Sequence, residues 1–458
     1  MMPFGIPGAP HGRRQSYRAR KLAQAQRDAI DLYHIPSQSV NMTDTPALRK
    51  HGKNAFLFVL VTVAIDMLAF GLIIPVIPSL IQDMMHVPPE DATLWLGLLA
   101  ATYALMNFLF GPTVGALSDH FGRRLVLLVS IGTLAIDFLI MGFAGSIWLL
   151  FIGRALSGIS GATYSTANAY IADVTEPKDR GRAFGMIGAA FGFGFVFGPV
   201  IGGFLGEISP RAPFFAAAGL AAVNFCYGFF VLPESLDKAH RRPFAFKRAN
   251  PFGAARHFSK LPQVSWFLLA AGIFFLAHTV FPATWSVHGE IRYDWSPKEI
   301  GFSLGLVGVG AAVVQAGLMG MILNRIGTVR TALLGMSVSV ICLFAYAFAG
   351  QAWIVYAIIP IGALGGVTGP AINSLMSTLT PRNAQGELQG ASSSLNSLAM
   401  IAGPLAMNGV LYYFTHDSAP FQFGGAAFLL SALLTLLAIV PFMRGVRENR
   451  DALPAAAE

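Results

Sequence analysis

Apolar residues along this chain do not alternate with polar ones; they run together. Twelve stretches stand out, roughly 55–81, 93–118, 125–145, 146–172, 183–206, 213–232, 264–288, 300–322, 331–349, 352–379, 390–413 and 421–443. Each is near the ~20 residues an α-helix needs to cross the hydrocarbon core of a bilayer. None shows the two-residue alternation of a membrane barrel. A backbone in lipid must satisfy its own hydrogen bonds, so the pattern predicts helices. Glycine and proline inside them are tolerable where neighbouring helices cover the backbone.

One connection is longer than the rest. Residues 233–262 carry seven Lys or Arg against Glu234 and Asp237, and separate six stretches from six. The predicted organisation is a basic tail over 1–54, a six-helix bundle over 55–232, a central loop over 233–263, a second six-helix bundle over 264–443 and a tail over 444–458. The halves resemble each other at an offset of 205. Gly115 and Gly122 pair with Gly320 and Gly327, Thr175, Gly181 and Gly185 with Thr380, Gly386 and Gly390, and Gly198-Pro199 with Gly403-Pro404. Several matches at one offset outweigh the commonness of glycine. The expected fold class is an all-α membrane protein of twelve transmembrane helices in two pseudo-symmetric halves. Parallel repeats of this kind point to a transporter with its site between the halves.

Composition narrows the class. Only 12% of residues are charged, against ~25% in soluble domains, which excludes disorder, coiled coil and most soluble enzymes. The net charge of +8 is a topology signal. From Arg49 onward, one set of connections holds 21 Lys or Arg, and the opposite loops hold only Arg211, Arg292 and Lys298. Positive residues stay inside, so both termini are expected in the cytoplasm and nucleic acid is not an expected partner. The far N-terminus is basic (Arg13, Arg14, Arg18, Arg20, Lys21, Arg27) with no apolar core, so it is not a secretory signal. It reads as a tail near anionic lipid, as an over-extended start upstream of Met42, or as a transit segment. Cys226 and Cys342 both lie in apolar runs, which predicts neither a disulfide framework nor a metal cluster.

Two glycine patterns carry mechanism. Gly115-Ala116-Leu117-Ser118-Asp119-His120-Phe121-Gly122-Arg123-Arg124 precedes the third stretch. Gly115 permits close helix approach, Asp119 suits the N-terminal amides of a helix in the other half, and Arg123 and Arg124 anchor the cytoplasmic edge. Its counterpart, Asn324 to Thr328, lacks the acid. In the fifth stretch, Gly194, Gly198 and Gly202 share a helical face beside Pro199 and Gly203, which predicts tight, separable packing on a facing helix.

Charges well inside the stretches are Asp66, Asp137 and Arg154. Each costs at least ~2.5–3.5 kcal/mol at bilayer centre and is a functional candidate for that reason. Asp137 and Arg154 stand eight residues on either side of the Gly145-Ser146 turn, at matching depth on antiparallel neighbours, so they can pair. Asp66 precedes Gly71, Pro75 and Pro78, which loosen its helix. Asn107 and His278 are candidate substrate contacts, and His288 a second histidine near the seventh span. Phe191, Phe193, Phe195 and Phe197 read as lipid-facing or packing residues.

The loop signature of Gly115 to Arg124 resembles that of the major facilitator superfamily, where the cluster latches the halves in the outward-facing state. Gly194 to Gly203 resembles its antiporter motif. Gly153-Arg154-Ala155-Leu156-Ser157-Gly158 resembles its fourth-span arginine motif, assigned to proton coupling. Over about 55–443 the chain is similar to the tetracycline/proton antiporter group, on Ile65-Asp66 through Pro78, the loop signature, Asp137, Gly153 to Thr163, Gly206 to Pro210 and Pro282 to Trp285. The resemblance implies a major facilitator fold. It also implies export of a tetracycline–divalent metal chelate in exchange for protons, with the metal part of the substrate and no resident cofactor. Group members carry a histidine in the eighth span and an aspartate in the ninth; Ala311 and Ser339 stand there, and His120 replaces a basic Arg. Coupling is thereby assigned to Asp66 and Arg154, with Asp137 supporting.

The expected function is a proton-coupled efflux antiporter in a bacterial inner membrane, working as a monomer on an amphiphilic drug or metabolite, most simply a tetracycline. Rival readings are an exporter of another drug, sugar or metabolite, and a non-transporting membrane receptor or scaffold. An enzyme is not expected, because no phosphate loop, nucleophile elbow or metal-ligand cluster is present in the sequence.

Overall fold

The structure is a computed structural model that describes residues 46–161, 163–176, 179–244 and 261–453. The basic tail up to residue 45 and most of the central loop lie outside these residues. Ten helical runs among the described residues are long and apolar enough to cross a membrane. The first half contains α1 (Pro46–Ile73), α2 (Ile77–Met85), α3 (Pro89–Phe121), α4 (Arg123–Gly142), α5 (Ile147–Ser160), α6 (Thr163–Val174), α7 (Arg180–Ile208) and α8 (Ala212–Val231). The second contains α9 (Ser265–His278), α10 (Val280–Tyr293), α11 (Pro297–Val313), α12 (Met319–Phe348), α13 (Ala352–Gly362), α14 (Thr368–Leu379), α15 (Gln385–Thr415) and α16 (Ala426–Glu448).

Several predicted stretches are built of two pieces. The first breaks at residues 74–76, beside Pro75, into α1 and α2. The seventh breaks at Thr279 into α9 and α10, and the tenth is joined through a 3-10 turn over Ala363–Val367. Conversely, α11 continues through a π-helical turn, Val314–Leu318, into α12, and the backbone turns only at Gly327. α10 also runs beyond the predicted limit of 288, which places Glu290 in a helix instead of a loop.

The sequence repeat has a backbone counterpart. Gly122 (φ 107°) and Gly327 (φ 78°) are the positive-φ glycines among the described residues, and they are 205 apart. Each sits where one helix ends and the next begins, a turn glycine makes without Cβ strain. His86 and Asp294, the left-handed non-glycine residues, close α2 and α10 in the same way at an offset of 208. Gln82 donates to Glu290 Oε2 at 2.9 Å, and these two residues are also 208 apart. Equivalent positions of two repeats meet only near the axis that relates them, so this contact marks it.

Each half holds two apolar clusters. One is near the central loop (Phe58, Leu127 and Tyr170; Phe267, Met376 and Phe442) and one at the far end (Leu72, Phe138 and Phe214; Trp285, Tyr346 and Phe428). Ile74 and Leu96 of the first half pack on the far-end cluster of the second. The halves meet where α7 packs on α11 and, in the exchanged arrangement, α15 packs on α3. A Cβ on Gly203 would lie 2.5 Å from the Pro297 carbonyl oxygen, and one on Gly301 would meet the Pro199 carbonyl oxygen. Polar contacts join the halves at this end: Gln82 to Glu290, Ser286 Oγ to the Ile74 carbonyl (3.2 Å), the Lys298 amide to Glu207 (3.3 Å), and His416 against Asp91 (3.5 Å). Toward the central loop, added Cβ atoms on Gly115, Gly185, Gly188, Gly192 and Gly320 would meet nothing within 4 Å. Among the described residues, these contacts between the halves gather at the far end.

Candidate functional site

Between the halves lies a cavity of about 290 Å³, near the lower end of the range for small-molecule sites. Its wall is apolar and aromatic: Phe70, Phe195 and Phe214 from the first half, Phe281, Trp285 and Met400 from the second. Phe195 is therefore a correction to the packing role expected of the α7 phenylalanines. It faces the cavity, whereas Phe193 and Phe197, on the other helix face, are exposed. The polar lining is Tyr103, Ser286, the Trp285 indole and Arg154. The indole N–H is engaged by Ser303 (2.9 Å) and the Ser286 hydroxyl by Ile74, so both are occupied within the protein.

Arg154 is the charged member of this lining. It donates through Nη2 to Asp137 Oδ2 at 3.0 Å, as the eight-residue spacing about the α4–α5 turn predicts. The Asp137 side chain is 0% exposed and that of Arg154 9%. Close approach of α5 to α4 allows the pair: a Cβ on Gly153 would meet Asp137 Oδ1. Arg154 Nε has no hydrogen-bond partner, and the guanidinium lies 5.9 Å from the centre of the Tyr103 ring. Asn107, one turn along α3, hydrogen-bonds Tyr103. Removing one member of such a pair strands a buried charge.

Asp66 lies elsewhere in the first half. It is 3% exposed, in α1, and its Oδ1 accepts from Asn224 Nδ2 of α8 at 2.9 Å. Asn224 also reaches the Thr62 carbonyl at 3.3 Å, while Asp66 Oδ2 has no partner. Asp66 thus forms a centre separate from the Asp137–Arg154 pair. Asn224 was invisible to sequence reasoning, since a single asparagine in an apolar stretch names no partner.

The α3–α4 cluster is intact but does not join the halves. Asp119 was expected to reach the other half; here it pairs with Arg123, one turn along the chain, at 2.7 Å. Arg123 also reaches Asp173 of α6 (3.3 Å), and Arg124 donates to the Phe229 carbonyl (2.7 Å). Glu234 accepts from the backbone amides of Arg123 (2.8 Å) and Arg124 (3.3 Å), capping α4 from 110 residues away. Gly122 leaves room for that carboxylate.

The α7 glycines pack as their spacing predicts, and the facing helix is α1 of the same half. Cβ atoms on Gly194, Gly198 and Gly202 would strike Met67, Gly71 and Leu72 respectively. Gly203, one residue round, faces the other half. His278 does not line the cavity wall; its Nδ1 lies 3.0 Å from the Phe274 carbonyl and its ring rests on Phe274. His288 Nδ1 lies 2.8 Å from the Gly424 carbonyl. Ala311 is exposed on α11, and Ser339 is buried against Gly365. Among the described residues no three His, Cys, Asp or Glu group into a metal site.

The family model of the Major Facilitator Superfamily matches residues 59–404. The chain is 38% identical over 392 residues to the tetracycline resistance protein, class C, of Escherichia coli, covering 86% of this chain and 97% of that protein. It is 37% identical over 392 residues to the class G protein of Vibrio anguillarum, covering 86% and 98%. A solved bacterial homologue of the human lysosomal transporter Spinster, in an inward-facing and unoccupied conformation, is similar with a TM-score of 0.70 at 14% identity, covering 88% of this chain and 99% of that one. At that identity the likeness is one of fold.

Proposed function

The chain belongs to the major facilitator superfamily, in the group of the tetracycline resistance proteins, and from that membership we propose that it is a proton-coupled efflux antiporter. Its substrate is an amphiphilic small molecule, a tetracycline or a tetracycline-like drug. In this reading the chain crosses a bacterial inner membrane twelve times, works as a monomer, and keeps both termini and the central loop in the cytoplasm. The observation that carries the proposal is the cavity between the halves, closed at the far end and walled by aromatic residues, with the buried Arg154–Asp137 pair at its edge.

The chemistry follows from the pair. Substrate enters from the cytoplasm through the open end. A proton on Asp137 removes the negative partner of Arg154 and frees the guanidinium; loss of that proton restores the ion pair. Asp66 supplies a second exchangeable carboxyl, held by Asn224 between α1 and α8. The far-end contacts then part, and Asp119 leaves Arg123 to latch the cytoplasmic ends. Each charge moved across the membrane gains ~2.3 kcal/mol per 100 mV, so one proton per cycle suffices for appreciable accumulation outside.

The test is substrate-driven proton release in inverted membrane vesicles, comparing wild type with Asp66→Asn. Tetracycline should dissipate an imposed pH gradient in wild type and not in the variant. Equal dissipation by both would refute coupling through Asp66.

A further inference from the structure

Resting on the reading of this cavity as the substrate site, the geometry points to the form in which substrate binds: a metal-free, negatively charged aromatic amphiphile, with Arg154 as its counter-charge. The chelate that the sequence resemblance implies brings a hard cation, which seeks several oxygen ligands. The cavity does not provide them. Among the described residues its lining has no carboxylate; Asp137 is sealed behind Arg154, Asp66 holds Asn224 away from the wall, and the Ser286 and Tyr103 hydroxyls are neutral oxygens, too few for such a cation. The positions that would supply a histidine and an aspartate hold Ala311 and Ser339, and neither lines the wall.

What the cavity does provide suits an anion. Arg154 is nine-tenths buried and lines the wall; its Nη2 holds Asp137, and its Nε is sealed within the protein without a partner, so the guanidinium is not saturated by Asp137 alone. A guanidinium in a site of low polarity strongly favours an oxyanion and repels a cation, whether bare or chelated. Tyr103 stands beside it, and Phe281, Trp285 and Phe195 offer flat apolar surface for a ring system. An aromatic body with one ionised enol, carboxylate or sulfonate matches this lining.

The experiment measures binding to the full chain in lipid nanodiscs, using tritiated tetracycline in EDTA or in magnesium, and two matched probes, 2-naphthalenesulfonate and naphthyltrimethylammonium. Metal-free tetracycline should bind at least as tightly as the magnesium form, and the sulfonate should bind where the ammonium does not. Arg154→Gln should weaken anion binding roughly tenfold or more, and Asp137→Asn, which frees the guanidinium, should strengthen it several-fold. Damage to the fold would weaken both variants, whereas a counter-charge moves them in opposite directions. Tetracycline binding that requires magnesium, preference for the ammonium probe, or failure of the sulfonate to bind overturns the inference. Magnesium-dependent proton exchange in vesicles would leave the antiporter reading standing without it. Anion binding with no proton exchange would do the reverse.

Discussion

Gly202 and Gly203 are adjacent in α7 but face different partners, and substituting each with alanine separates packing from gating. A Cβ on Gly202 would strike the backbone of Leu72, in α1 of the same half. A Cβ on Gly203 would lie 2.5 Å from the Pro297 carbonyl oxygen and 3.0 Å from Lys298 Cα, across the seam between halves. Both obstacles are backbone, which cannot swing aside like a side chain. Overpacking of this kind costs about 1–3 kcal/mol. At Gly202 the strain is present in every conformation of the first half and lowers stability. At Gly203 it exists only while the far end is closed, so it moves the balance toward the far-end-open state by about 5- to 150-fold.

The reporter is Ser286→Cys, on the cavity wall just inside the closed end, with Cys226 and Cys342 replaced. A membrane-impermeant maleimide is applied outside intact cells. Gly203→Ala should raise the labelling rate, and Gly202→Ala should leave it unchanged while lowering the melting temperature in detergent. If folded Gly203→Ala protein labels no faster than its parent, the α7–α11 seam is not the gate.

Further predictions follow from the buried and capping charges. Arg154→Gln strands Asp137 and should cost about 3–5 kcal/mol, whereas Asp137→Asn with Arg154→Gln should recover most of it, as read by thermal unfolding of purified protein. Glu234→Ala removes the cap of α4 and should cost about 0.5–2 kcal/mol, with faster amide exchange at Arg123 and Arg124. Asp119→Asn breaks a partly exposed pair and should change stability by less than ~1 kcal/mol, yet slow transport in vesicles if Asp119 latches the cytoplasmic ends as proposed.

What was legible in the sequence had a local or periodic signature. The equal spacing of Asp137 and Arg154 about one turn fixed their depth, and the structure pairs them. The 205-residue offset anticipated two glycines that share a left-handed turn. The contacts that escaped are long-range and have no periodicity: Asn224 on Asp66, Glu234 on α4, and Glu207 on Lys298. Gln82 and Glu290 escaped for another reason. Hydropathy falls where a helix leaves the apolar core, but the helix does not end there. α2 and α10 both run on to a left-handed cap, so residues that read as loop are helical and meet on the axis.

The distribution of charge assigns different work to the two halves. Asp66, Asp137 and Arg154 all belong to the first, while the second gives the cavity Phe281, Trp285, Leu304, Val307 and Met400. Under the proposed coupling, a protonation change would begin in the first half and reach the second through packing, since among the described residues the second half's cavity lining carries no charge. The available path is α7. Gly194, Gly198 and Gly202 hold it against the Asp66 helix, and Gly203 and Gly206 hold it against Pro297 at the start of α11. Its two faces touch the two halves at backbone distance, so a shift of α1 against α7 is not absorbed by flexible side chains before it reaches the seam. On the proposed mechanism, coupling would depend less on the number of acids than on keeping α7 free of side chains on both faces.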